Sequence, residues 1–106
     1  MKKRNLLKFR EYLTEDLKSD PEKVSVYLEV ALDEYEKDGD LGALLLALRT
    51  IAEAKGRISD LARKTHLSRQ NLYKIFSNKV SPRFNTLAVI LRALGYSLCL
   101  KKIDAA

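Results

Sequence analysis

An all-α fold is what the sequence predicts: a five-helix domain with an N-terminal helical extension and a short C-terminal β-strand. Three observations carry that expectation. Apolar residues recur at helical spacing through most of the 106 residues. Glycine, proline and aspartate punctuate those runs where one helix would stop and the next begin. Only the tail, YSLCLKK, alternates with the period of two that a strand requires.

Residues 5–18 place Leu6, Phe9, Leu13 and Leu17 at near-helical spacing. In Ser19-Asp20-Pro21-Glu22, Asp20 can cap a new helix and Pro21 suits its first position. The helix over 22–37 has its best stripe in Val24, Tyr27, Leu28, Ala31, Leu32 and Tyr35; Gly39 stops it and Asp40 caps the next. Residues 41–55 form the most apolar run, with Leu41, Leu44, Leu45, Leu48, Ile51 and Ala52 on a broad face, and are the expected core. Two short helices, 58–65 and 69–77, follow Gly56. A loop with Pro82 then leads to a helix over 86–94, capped by Asn85 and ended by Gly95. In the tail, Tyr96, Leu98 and Leu100 share one face, and Cys99 is expected to be a buried or interface thiol. One strand without a second in its own chain calls for another copy beside it, which makes these three residues the dimer candidates.

Charge divides the chain more sharply than hydropathy does. The net charge is +6, but residues 1–40 hold 8 Lys/Arg against 11 Asp/Glu, and residues 41–106 hold 12 against 3. Within residues 11–40 the count is 3 basic to 11 acidic, a local charge of −8. The expected organisation is therefore an acidic helical arm over 1–39 and a basic body over 40–106. A basic body is the electrostatic footprint of a polyanion binder. The acidic arm would be repelled by that polyanion and suits a basic partner instead.

Other function classes fall away on residue chemistry. One cysteine and one histidine make a structural zinc site a poor expectation, and neither a metal nor a cofactor is expected. No nucleophile–base pair and no phosphate-binding glycine loop is present, so the chain is not expected to be an enzyme. No apolar run approaches the roughly 20 residues a membrane helix needs. A lone thiol suits a reducing compartment, so a cytoplasmic location is expected.

The stretch ISDLARKTHLSRQNLYKIFSNK, from Ile58 to Lys79, breaks one amphipathic run into two helices. Ala62 is small where a second helix would cross, Leu61 and Leu67 bury the corner, and Ser68 is placed to cap the second helix. On that helix Leu72, Ile75 and Phe76 fall on one side and Gln70, Tyr73, Lys74 and Ser77 on the other, flanked by Arg69 and Asn71. Arginine matches guanine edges, and glutamine or asparagine matches adenine. Arg69, Gln70, Asn71 and Lys74 are thus the base-reading candidates, at the end of a helix that would enter the major groove of duplex DNA. Ser59, Ser68, Tyr73, Lys79, Arg83 and Thr86 are the phosphate-contact candidates, because helix starts and loop cations grip phosphates. Tyr73 fits packing on the loop equally well. The competing reading is a helical corner in a protein-interaction module, its polar face merely solvated.

The segment LARKTHLSRQNLYKIFSNKVSPRFNTLAVILRALG resembles the lambdoid repressor (XRE, Cro/CI) type of helix-turn-helix. Over nearly residues 9–100 the chain resembles the addiction-module antidote proteins, HigA-like antitoxins of HigBA/RelBE-like operons. The matching pieces are FREYL, YLEVALDE, ALRTIAEAKG, LARKTHLSRQNLYKIFS and PRFNTLAVILRALGYSL. The resemblance implies a repressor-like helix-turn-helix fold and a sequence-specific regulator that binds the operator of its own operon. It also implies neutralisation of a small basic toxin, a RelE/HigB-like mRNA endonuclease. The alternative is an interaction module, or a stand-alone repressor without a toxin. One departure stands out: His66 occupies the turn position usually held by glycine.

Overall fold

A computed structural model describes the backbone of residues 3–104 and the side chains of residues 8–104. Its described residues form six helices: α1 (Lys3–Ser19), α2 (Pro21–Asp38), α3 (Leu41–Lys55), α4 (Ile58–Thr65), α5 (Arg69–Phe76) and α6 (Phe84–Ala93). Leu6, placed on the first apolar stripe by its spacing, lies outside the described side chains.

The punctuation works as its chemistry requires. The Glu22 amide donates to Asp20 Oδ1 at 3.0 Å, starting α2, with Pro21 just inside, where its missing amide hydrogen costs nothing. Gly39 ends α2 in the left-handed region, and its amide donates to the Tyr35 carbonyl at 2.7 Å. The Ala43 amide donates to Asp40 Oδ1 at 3.0 Å, starting α3.

Helix α3 is the axis of the molecule. Leu45 and Ile51 are fully buried, and α1, α2, α4 and α5 all pack against it. One buried cluster takes Leu17 from α1, Val24 and Leu28 from α2, Leu48 from α3, and Leu72 and Ile75 from α5. The acidic arm therefore shares its core with the basic body, and the break between them is a tight turn at Asp38 to Asp40. Not every residue of the expected stripes is covered: Phe9 and Leu32 are exposed.

Two expectations at the C-terminal end need correction. Helix α6 begins at Phe84 with Arg83 in the capping position, so Asn85 lies inside the helix and is not its cap. The C-terminal β-strand is not seen among the described residues: residues 96–103 run without regular secondary structure. The chain leaves α6 through Gly95, whose φ is +99°, while the Tyr96 amide donates back to the Leu91 carbonyl at 2.9 Å. Tyr96 is thereby part of a helix cap. Its ring is half-buried, its hydroxyl lies 2.9 Å from Ser25 Oγ, and Lys55 Nζ sits 5.4 Å from the ring centroid. The alternation of the tail thus records one inward tyrosine and outward leucines on a chain wrapping the surface, and among the described residues no neighbouring strand supplies a ladder. Cys99, expected to be buried or at an interface, is exposed.

Candidate nucleic-acid interface

Helices α4 and α5 meet through a three-residue turn, Arg69 following directly on His66, Leu67 and Ser68. His66 adopts φ 60° and ψ 24°, the left-handed conformation, which costs a non-glycine residue about 1 kcal/mol. Neighbouring bonds hold it there. Buried Thr65 donates its hydroxyl to the Leu61 carbonyl at 2.8 Å and accepts from the Leu67 amide at 3.3 Å, so the turn is stitched to the last turn of α4. Ser68 Oγ then accepts from the Asn71 amide at 3.0 Å and starts α5. At the other end of the corner, Asp60 Oδ2 accepts from the Arg57 amide at 3.1 Å, fixing the start of α4.

Helix α5 divides cleanly. Leu72, Ile75 and Phe76 are buried, whereas Arg69, Gln70, Asn71, Tyr73, Lys74 and Ser77 are exposed. The four base-reading candidates thus stand together on the outer surface of one eight-residue helix. Ser68 is spent partly on its cap. Ser59, half-buried, lies in the first turn of α4.

The loop after α5 follows from a second left-handed residue. Asn78 has φ 60°, the Lys79 amide donates to the Lys74 carbonyl at 3.0 Å, and the Asn78 amide donates to that of Ile75 at 3.0 Å. This paired capping pattern turns the chain sharply, and asparagine tolerates it better than most side chains. Exposed Lys79 thereby stands three residues past the end of α5, Arg83 stands exposed at the start of α6, and Thr86 is half-buried in that helix's first turn.

Tyr73 has a partner the sequence did not disclose. The Arg49 guanidinium of α3 lies 5.3 Å from the Tyr73 ring centroid, within cation–π range. Arg49 Nε is 3.6 Å from Glu53 Oε2, and Glu53 Oε1 accepts from the Arg10 guanidinium at 2.8 Å. Arg10 also donates to Thr50 Oγ1 at 3.2 Å. A chain of contacts thus runs from α1 through α3 to the outer face of α5. The i, i+4 spacing of Arg49 and Glu53 is visible in the sequence; their engagement by Arg10 and Tyr73 depends on tertiary packing.

The dimer candidates separate. Tyr96 is held inward, while Leu98 is 48% exposed and Leu100 fully so. The two leucines line a groove of ≈ 540 Å³ with Phe84, Ala88 and Val89 of α6. Helix α6 packs chiefly on α4 and places Ile90 and Leu91 in the common core, while Phe84 is 76% exposed.

Among the described residues, no three His, Cys, Asp or Glu side chains come together as a metal site would need, and no helix is long and apolar enough to cross a membrane.

The described residues form six helices, with a short helix–turn–helix corner on the basic half and an acidic helical pair packed against the same core. Residues 7–102 match the model of the family described as "probable addiction module antidote protein". The chain belongs to that family. A Haemophilus influenzae (strain ATCC 51907 / DSM 11121 / KW20 / Rd) protein, described as uncharacterized, is 34% identical over 68 residues, which are 64% of this chain and 69% of that protein. No solved structure matches the chain.

Proposed function

We propose that the chain is the antitoxin of a type II toxin–antitoxin module that binds duplex DNA at the operator of its own operon and neutralises a small basic toxin. The observation that carries the DNA half is the outer face of α5, where Arg69, Gln70, Asn71 and Lys74 are exposed over a buried inner face. Arg63, Lys64, Lys79 and Arg83, all exposed, extend the positive surface around it. Family membership supports the toxin half, and a RelE/HigB-like mRNA endonuclease is the toxin we infer, since an RNA-handling enzyme carries the basic surface an acidic arm would hold. Such a binder works in the cytoplasm and needs no catalytic group or cofactor.

Salt titration on DNA taken from upstream of the reading frame tests the first half. Each neutralised phosphate adds about −0.9 to the slope of log affinity against log salt. Lys79→Ala should weaken binding to all sequences and flatten that slope by about one. An unchanged slope removes Lys79 from the contact set.

The working species in this reading is a homodimer, because one such helix covers only one half-site and the second lies about 34 Å along the duplex. Its interface is the apolar face of α6 together with Leu98 and Leu100, joined by side-chain packing in place of a strand ladder. Leu98→Lys should yield a helical monomer by sedimentation equilibrium, with DNA affinity lost far more than helicity. If that variant stays dimeric, the interface lies elsewhere.

A further inference from the structure

We propose that the outer seam between α1 and α2 is the docking site for one basic amphipathic helix of the partner protein, an inference that rests on the antitoxin reading. In this arrangement an aliphatic side chain of the partner enters between Leu13, Val26 and Val30, and cations on its flanks meet Asp16, Asp20 and Glu22.

The seam exists because α1 and α2 spend their inner faces on α3. Leu17, Val24 and Leu28 belong to the shared core, and among the described helices only α3 packs against the pair. Among the described residues this leaves a groove of ≈ 500 Å³ along both helices, with Leu13 and Tyr27 partly buried beneath it. On its rim Val26 is 58% exposed and Val30 53%. Valine is a poor choice for a solvated helix face: its β-branch restricts χ1 in a helix, and its methyls gain nothing from water. Two valines one turn apart, beside a groove, present apolar surface in the i, i+4 register that a partner helix fits. Phe9 continues the Leu13 row one turn toward the N-terminus of α1 and is likewise exposed.

Charge selects the occupant. Asp16, Asp20 and Glu22 line the groove, and Glu29 and Asp33 stand exposed on the same side of α2 at helical spacing from Val26. Among the groove residues the one cation is Lys23, whose ammonium donates to Asp16 Oδ1 at 2.8 Å. That hydrogen bond, with the charge of Asp16 and smaller contributions from Asp20 and Tyr12, holds the Lys23 pKa above the ordinary lysine value. A cation is thus already favoured beside Asp16, and the acids around it leave room for others. DNA is repelled by this face, and an acidic helix such as another copy's α2 would be repelled as well.

The test uses the full chain, isotope-labelled at its methyl groups, and three synthetic helical peptides. The first carries leucines at i, i+3, i+4 and i+7 on a lysine/arginine background. The second replaces every cation with glutamate, and the third replaces the leucines with serine. Saturable binding of the first alone is expected, with methyl shifts concentrated at Leu13, Val26 and Val30. V26K/V30K, whose two sites are solvent-exposed and whose helicity is checked by circular dichroism, should weaken that binding by roughly tenfold or more. Equal binding of the serine peptide, equal binding of the glutamate peptide, shifts centred on the α6 face, or an unaffected double variant would each overturn the proposal. So would concentration-dependent self-association through Val26 and Val30, which would make a second copy the occupant. Co-expression with the product of the adjacent reading frame separates this inference from its premise. If wild type and V26K/V30K neutralise that product equally, the seam is not the docking site and the antitoxin reading stands. If neither neutralises it, the antitoxin reading falls, and the peptide titration still decides whether the seam binds.

Discussion

Leu72→Ala should lower the free energy of unfolding by about 2–5 kcal/mol. Leu72 is 0% exposed, on the inner face of α5, in the cluster that also holds Leu17, Val24, Leu28 and Ile75. Removing its branch forfeits the transfer energy of the lost methyls and leaves a cavity that helices anchored on several sides cannot close. In a domain of this size each kcal/mol moves Tm by about 4–8 °C, so the effect is large on any thermal scan. The denaturant midpoint should fall with the m-value unchanged, since the surface exposed on unfolding is the same. Val89→Ala, at an exposed site on α6, should stay within about 0.5 kcal/mol of wild type. A loss below 1 kcal/mol for Leu72→Ala would mean that α5 is not seated in the common core. The shared cluster also requires one transition: separate unfolding of α1–α2 would show that the body stays folded without the arm and that the two do not share a cooperative core.

That shared core bears on how the two halves can be examined. Cutting the chain after residue 38 would strip α3 of the helices that cover Leu45, Leu48 and Ile51, so loss of function in such a fragment would report unfolding. Surface substitutions such as V26K/V30K avoid the difficulty because they leave Leu17, Val24 and Leu28 in place.

Local chemistry made much of the fold legible in the sequence. Asp20, Asp40 and Ser68 each place a short acceptor before an apolar run, and each receives the amide of the next helix. The split of α5 into a buried and an exposed side also follows from spacing alone, as does the segregation of acidic from basic helices. Asn85 misled because an acceptor near a helix start resembles a cap; the chain enters α6 from extended backbone at Arg83, without a side-chain cap. The alternation of the tail fits any extended segment lying on a surface, and only a neighbouring strand makes it a ladder. The engagement of Tyr73 by Arg49, 24 positions away, and the open seam between α1 and α2 depend on which helix faces α3 uses, and no local pattern encodes that.

Gln70→Ala should cost roughly 1–3 kcal/mol of affinity on the cognate operator and relax preference at one base position. The site suits a clean measurement. Gln70 is exposed in the first turn of α5, and alanine is the better helix former, so folding stability should move by no more than about 0.5 kcal/mol. The carboxamide has one donor and one acceptor side, the pair that adenine presents in the major groove through N7 and its amino group, whereas alanine offers neither. A base contact is lost only where that base is present. Affinity for random DNA should therefore hold, and the slope of log affinity against log salt should stay unchanged because no charge is removed. Lys79→Ala has the opposite signature, with a flatter slope and losses on every sequence. Binding isotherms on the operator, on its single-base variants and on random duplex, at several salt concentrations, distinguish the two. Equal loss on operator and random DNA would make Gln70 a backbone contact, and Arg69 and Asn71 would then carry the reading. No loss on either would remove Gln70 from the contact set.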